Sequence, residues 1–302
     1  MNYTNAEIIA VVVLYRCGLL ASPTIKSLLH DCICNPESYE NFRLIIYDNS
    51  EIKQPIDFNF PFSCEVIHDK SNSGLATAYN FALESARTNS INWILFLDQD
   101  SSLPENFLRV AKKEIEAISS IENLKVIAPR IEDRGRAISP ARDLIGGILR
   151  PIKDIEPGKC ELKIHAIGSG LIVKTEIFEA IGKFSSIFPM DGLDRWLCHQ
   201  ISAMGWSYLI SENKVEHSLS VYDFDKFVSD ERYIRILIYE YKFLKIYRGN
   251  IDKLIYNLRL FLRAIKYFIY LKNKNFSIIT LKHLINKYND KSNNNCRYNN
   301  IQ

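Results

Sequence analysis

The first 130 residues alternate short β-branched runs with stretches of helical period, and that alternation restricts the fold more than any other feature. It is the pattern of βαβ units, which assemble a mainly parallel sheet with helices on its faces. Ile8 to Leu14 reads as the first strand. Ser22 and Pro23 read as a helix N-cap and first helical position, with Ile25, Leu28, Leu29, Cys32 and Ile33 following at i, i+3, i+4 spacing as the buried face. Arg43 to Asp48 reads as a second strand and Cys64 to His68 as a third. Leu75, Ala78, Tyr79, Ala82, Leu83 and Ala86 trace a second helix directly after Asn72, Ser73 and Gly74. Asn92 to Leu97 is expected as a buried strand, and Pro104 is expected to open the next helix. Ligands of open α/β sheets bind beyond the carboxyl ends of the strands, where Asp48, Asp98 and Asp100 stand.

The second half is less regular. A strand is expected from Leu162 through Ile167, then the small-residue turn Gly168, Ser169, Gly170, another strand, and a helix from Glu176 to Ile181. Phe188 to Asp194 reads as a loop into a helix on which Leu193, Leu197 and Ile201 share a face and which ends near Gly205. Ser207 to Ile210 reads as a further strand, and the chain is helical from Asp230 onward. The polar residues 291–302 are expected to be a disordered tail.

With 302 residues, 47% of them hydrophobic, the chain can bury one good-sized core and a small appendage, which excludes a disordered or fibrous protein. No run reaches the roughly 18 apolar residues of a membrane-spanning helix. Met1 to Glu7 lacks the basic region of a signal peptide, so a cytoplasmic location is expected. The seven cysteines form no paired framework, and Cys32 and Cys34 are spaced poorly for a redox pair or structural zinc. The net charge of +3 hides an asymmetry: Lys242 to Lys287 carries +10, leaving the remainder at −7. A basic tail on an acidic body points to an anionic partner, and the mixture of Leu, Ile and Phe with Lys and Arg over Ile251 to Phe276 fits an amphipathic helix on an anionic membrane. The bland alternative is a helix packed on the rest of the protein with solvated lysines.

Asp98 and Asp100 form a D-x-D pair able to hold a divalent cation against a diphosphate. Asp223 and Asp225 share that spacing without an apolar strand behind them, so the first pair is preferred. Asp48, followed by Asn49, is placed either to accept the imide N–H of a uracil or thymine or to serve as a turn acid. Asn72 and Gly74 either offer helix-terminal amides to a nucleotide or cap their helix. Asp191 and Asp194 stand at a helix mouth as general-base candidates or capping acids, and His217 is a candidate third metal ligand or a structural histidine.

The ordered set LIIYDNS, NSGLATAYNFAL, WILFLDQDS, IGSGLIVKTEIFEAIGKF, DGLDRWLCHQISAMGW and VEHS resembles the family 2 glycosyltransferases of GT-A fold, especially rhamnosyltransferase-like members of bacterial surface-polysaccharide (O-antigen) pathways. The resemblance spans roughly residues 7 to 245. It implies an α/β GT-A (Rossmann-like) domain over 1–228, with a nucleotide-sugar half over 1–130 and an acceptor half over 131–228, followed by basic helices over 229–290. It also implies that Asp48 binds the base, Asp98 the ribose and metal, and Asp100 and His217 the metal, Mg²⁺ or Mn²⁺. Counting back eleven residues from Gly205 places Asp194 at the catalytic aspartate. Leu193 and Gln200 depart from the Glu and Arg usual beside it. Leu14, Tyr15, Asn49, Asn72, Gly74, Gly168, Asp191 and Trp196 complete the expected donor and acceptor contacts.

The implied reaction is inverting transfer of rhamnose from dTDP-rhamnose, or of a hexose from a UDP-sugar, to a lipid-linked saccharide at the inner face of the cytoplasmic membrane. A sugar-phosphate nucleotidyltransferase is a competing reading, but it needs a Gly-rich basic loop after the first strand, which Val13 to Gly18 is not. A non-catalytic membrane- or nucleic-acid-binding protein has no need of the strand-end acids, and no nucleic-acid partner is expected.

Overall fold

The computed structural model describes residues 7–55, 58–217 and 228–286. The second D-x-D, at Asp223 and Asp225, and residues 291–302 lie outside them. In chain order the strands are β1 (Ile8–Leu14), β2 (Phe42–Asp48), β3 (Ser63–His68), β4 (Trp93–Asp98), β5 (Ser101–Ser102), β6 (Leu124–Asp133), β7 (Arg136–Ser139), β8 (Ala141–Leu144), β9 (Ile148–Pro151), β10 (Gly158–Cys160), β11 (Ile164–His165), β12 (Leu171–Lys174) and β13 (Ser207–His217). The helices are α1 (Pro23–Cys34), α2 (Leu75–Thr88), α3 (Phe107–Ile118), α4 (Ile177–Ile181), α5 (Leu193–Ala203), α6 (Asp230–Tyr247), α7 (Asn250–Tyr270) and α8 (Asn275–Asn286). The chain divides into two compact units at 143/144, 148/149 and 219/220, so that residues 144–148 belong with the C-terminal helices.

The first unit is built on a mixed sheet in the order β10-β13-β6-β12-β4-β1-β2-β3, with β5 attached to β13 and β7 to β6. β1, β2, β3 and β4 are mutually parallel, as their helical crossovers require. Every residue of β1 is buried, which is why its sequence is continuously apolar instead of alternating. β12 runs antiparallel between β4 and β6. A separate three-stranded sheet, β11-β8-β9, takes β8 and β9 from a stretch where no strand is expected, and the strand expected over Leu162 to Ile167 shrinks to Ile164–His165 within it. β13 continues past Ile210 to His217, with irregular register after Ile210 that interrupts its apolar pattern.

Ser22 caps α1 by accepting the Ile25 N–H, as its position suggests. The buried face differs from the expected one, because Ile33 is exposed while Asp31 is buried. Asp31 turns inward to cap another helix. Its Oδ1 accepts the Asn106 N–H at 2.8 Å and the Asn35 amide at 2.9 Å, and its Oδ2 accepts the Leu108 N–H at 3.2 Å and the Tyr39 hydroxyl at 3.1 Å. Those backbone donors open α3, where a negative charge is favourable, and α3 accordingly starts at Phe107, three residues later than Pro104. Asp31→Ala strands several buried donors and should cost about 3 kcal/mol or more. A lower urea midpoint at unchanged denaturant slope is the expected observation.

In the second unit, α6, α7 and α8 pack around Tyr233, Leu237, Leu244, Tyr256, Leu260 and Phe276. The Gly146 N–H donates to Asp252 at 2.8 Å, and Arg259 donates to the Gly147 carbonyl at 2.8 Å. The single helix expected over Ile251 to Phe276 is two helices, because α7 ends at Tyr270 and Phe276 enters the core from α8. The inward face of α7 is Tyr256, Leu260 and Ala264. Arg263 pairs with Glu240 through both terminal nitrogens at 3.2 Å, and Arg259 lies 3.6 Å from the same carboxylate, so these two cations serve the fold.

Candidate active site

Parallel register lines up the strand ends. Leu14 is paired with Asp48, and Val13 with Asp98, so β1, β2 and β4 finish on one edge. Because β12 is antiparallel to β4, the turn that precedes it, Gly168 to Gly170, reaches the same edge, where the Gly170 N–H donates to the Phe96 carbonyl at 2.7 Å. β5 then pairs with the far end of β13 and sets Ser101 directly opposite His217. One atom from each of Asp98, Asp100 and His217 falls within a group spanning 4.8 Å, with His217 Nδ1 3.5 Å from Asp100 Oδ1.

Asp194, in the first turn of α5, joins this group. The Gly168 N–H donates to its carboxylate, and a Cβ at Gly168 would stand 2.8 Å from Asp194 Oδ1, so only glycine allows this approach. Burial, reinforced by the Asp98 charge, pushes the Asp194 carboxyl up to about 7. Burial together with the Asp100 charge pushes Asp98 up to about 7 as well. Two acids at the sheet edge and a third beside them repel one another, and a divalent cation would relieve that repulsion. Two hard carboxylates and an imidazole form a donor set that fits Mn²⁺ or Mg²⁺.

The other expected contacts divide. Asp48 is fully buried, its Oδ1 accepting the Ser50 N–H at 3.0 Å and its Oδ2 the Gln54 N–H at 2.8 Å, so its carboxylate braces the turn that follows β2. Asn49 Oδ1 and Asn72 Oδ1 are buried without a hydrogen-bond partner, an arrangement that suits an incoming ligand donor. Leu14 is a core side chain that presents only its backbone. Tyr15 is exposed, its N–H donating to Gln99 Oε1 at 2.8 Å and its hydroxyl to Glu51 at 3.1 Å. Gly74, at φ +90°, lets α2 start against Pro189, where a Cβ would meet the Pro189 carbonyl at 2.5 Å. The Ala76 N–H donates to that carbonyl at 3.0 Å, so this helix-terminal amide is already satisfied. Asp191 is half-buried in the loop before α5. Trp196 offers no face to an acceptor. It is buried against Phe184, in an aromatic cluster with Tyr79 and Phe96, because it shares the inward face of α5 with Leu193 and Leu197.

Sequence reasoning missed the buried hydroxyls that hold the D-x-D segment. Ser22 donates to the Gln99 carbonyl at 2.6 Å, Thr24 donates to the Asp98 carbonyl and accepts the Ser101 N–H at 3.0 Å, and Ser169 accepts the Asp98 N–H at 3.3 Å. It also missed the buried pair of Arg195 with Asp143, at 2.6 Å, beside His165, whose imidazole burial pushes down to about 4. Small hydroxyls and isolated opposite charges carry no periodic signal.

The family model described as "Glycosyl transferase family 2" matches residues 9–175, more than half of the chain. The chain belongs to glycosyl transferase family 2. This family member is similar to the dTDP-rhamnosyl transferase RfbF of Shigella flexneri, 24% identical over 226 residues that cover 71% of this chain and 70% of that one. Its fold resembles that of TarS from S. aureus. The TarS 1–349 structure matches with a TM-score of 0.52 at 16% identity, over 93% of this chain and 80% of that one. TarS 1–349 in complex with UDP-GlcNAc gives 0.51 at 14% identity, over 93% and 81%. Of a longer TarS structure the chain spans 48%. The GT-A architecture implied by the sequence motifs is thus the one this family 2 glycosyltransferase adopts.

The raised acids give the family 2 glycosyltransferase a pH signature. Without a cation, folded Asp98 and Asp194 hold their protons up to about pH 7, whereas unfolded carboxyls release theirs near about 4. The folded state binds more protons in that window, so its stability should fall as pH rises from about 4 to about 7. Thermal melts in chelator should show this decline, and Asp194→Asn should flatten it by removing one of the two groups.

Proposed function

We propose that this chain is an inverting, metal-dependent glycosyltransferase. It moves rhamnose from dTDP-rhamnose, or a hexose from a UDP-sugar, to a lipid-linked saccharide acceptor in surface-polysaccharide (O-antigen) synthesis. The observation that carries the reading is the convergence of three separate regions of the sequence, with Asp194 beside Asp98 and His217 of the group that also holds Asp100. RfbF, by its name a dTDP-rhamnosyl transferase, favours the rhamnosyl donor.

Asp194 is the general base. Its carboxylate takes the proton of the acceptor hydroxyl as that oxygen forms a bond to the anomeric carbon, and the bond from that carbon to the nucleotide diphosphate breaks on the opposite face. A carboxyl raised to about 7 is matched to this task near neutral pH. Gly168 orients it through the backbone N–H. Asp98, Asp100 and His217 would hold the cation, which when bound supplies positive charge to the departing diphosphate. Asn49 and Asn72 offer buried acceptor oxygens to the nucleoside, and Tyr15 flanks the strand end. The expected place of action is the cytoplasm, peripheral on the inner membrane.

The C-terminal helices supply the membrane contact. Leu254, Leu258, Phe261, Leu262, Ile265, Phe268 and Ile269 lie exposed along α7, and Lys266 is exposed among them. Among the described residues no helix is long and apolar enough to cross a membrane, so the contact is interfacial. With Arg259 and Arg263 engaged internally, the apolar face carries more of the binding than the arginines. Phe261→Ser with Phe268→Ser and Lys266→Gln should release the protein from anionic vesicles in a flotation assay. Retention equal to the parent would rule out this face.

Asp194→Asn should keep donor affinity within about 1 kcal/mol while transfer falls about 100-fold or more, because an amide cannot take the proton. Asp100→Asn should abolish cation-dependent donor binding, and Asp225→Asn should leave it near parental. Calorimetry with the sugar nucleotide and Mn²⁺, followed by initial rates, checks all three. Near-parental turnover of Asp194→Asn would refute its role as base.

A further inference from the structure

The side chains expected to hold a cation come from strands that are far apart in sequence, and something must set their geometry before a ligand arrives. Three hydroxyl residues, Thr24, Ser101 and Ser169, are completely buried at this point. Ser101 is the cross-strand partner of His217. Its Oγ lies 2.9 Å from His217 Nδ1 and is hydrogen-bonded on its other side to Ser169 Oγ. Ser169 in turn accepts the Asp98 N–H, and Thr24 bridges the Asp98 carbonyl and the Ser101 N–H. A chain of contacts therefore runs from the backbone of one cation-site aspartate, through two hydroxyls, to the imidazole.

We propose that Ser101, backed by Ser169, is a positioning residue that fixes the His217 ring toward Asp98 and Asp100; this rests on reading those three residues as cation ligands. Hydrogen-bond accounting supports it. Ser169 accepts the Asp98 N–H and has a second lone pair for the Ser101 hydroxyl proton, so Ser101 donates to Ser169 and accepts the Nδ1–H of His217. The ring proton then sits on Nδ1, directed at Ser101, and the Nε2 lone pair is left for a cation, the arrangement in which the nitrogen that does not bind the metal donates to a supporting group. Without the hydroxyl, a buried ring nitrogen loses its partner and the ring its orientation. Groups that orient metal ligands typically contribute about 10- to 100-fold in metal affinity.

The test compares the parent, Ser101→Ala, Ser169→Ala, the double variant and Asp100→Asn, using Mn²⁺ titration by calorimetry and ¹⁵N spectra of the histidine rings in metal-free protein, with His217 assigned through His217→Gln. The parent should bind Mn²⁺ and show His217 as one tautomer with a protonated Nδ1. Ser101→Ala should bind Mn²⁺ about tenfold or more weakly and show averaged ring nitrogens. Ser169→Ala also frees the Asp98 N–H, so it should weaken Mn²⁺ binding while leaving the His217 ring more ordered than Ser101→Ala does, and the double variant should show ring nitrogens averaged as in Ser101→Ala. If Ser101→Ala does not fold, Ser169→Ala carries the test with the same two readouts. Parental or tighter Mn²⁺ affinity in a folded Ser101→Ala, with Asp100→Asn weakened, overturns the positioning role and leaves the cation site standing. A parent that binds no Mn²⁺ overturns both.

Discussion

Because β12 runs antiparallel between β4 and β6, its leading turn begins where β4 ends, and the site is organised around that meeting. Gly168 reaches Asp194 and Ser169 reaches the Asp98 N–H, while Gly170 is tied to Phe96. A parallel strand in that place would carry its first residues to the opposite edge, and the base and the D-x-D segment would lose their common support. The strand is only four residues long, so its influence comes from direction and register more than from buried area.

The electrostatics follow from the same closeness. Asp98 is held near both Asp100 and Asp194 by main-chain geometry against the repulsion of their charges, and the burial of Asp98 and Asp194 removes much of the water that would screen it. The fold thus holds charges in an arrangement that is unfavourable alone and favourable once a cation or a proton joins it, as is typical of sites built for charge transfer. The buried hydroxyls restrict the D-x-D backbone so that this repulsion cannot simply push the loop aside.

Much of this is legible in the sequence. Strands from continuous apolar runs, and α1 and α2 from period and caps, emerged directly because burial on a sheet or helix face imposes a pattern. The departures have physical causes. Asp31 lies outside the apolar set expected for α1, yet it faces inward because its acceptors are needed by α3, a long-range demand that no local window contains. Trp196 looked like a ligand aromatic because of its place after Asp194, but helical period puts it in the core. Asp48 ends its strand as expected, and its carboxylate is occupied by amides six residues away or fewer, which strand-end position alone does not reveal. On α7, composition showed amphipathicity but not direction: the inward arginines are neutralised by Glu240 on another helix.

The start of α2 illustrates how structure limits sequence at positions with no chemistry of their own. Gly74 has a left-handed φ and its absent side chain is the space that the Pro189 carbonyl fills, five residues before Asp194. Any side chain at 74 must displace the loop that leads into α5. A map of mutational tolerance should therefore show an intolerant spot at Gly74, where no reactive group exists, and the segment around Pro189 should change only in step with it, so that the two positions evolve as one.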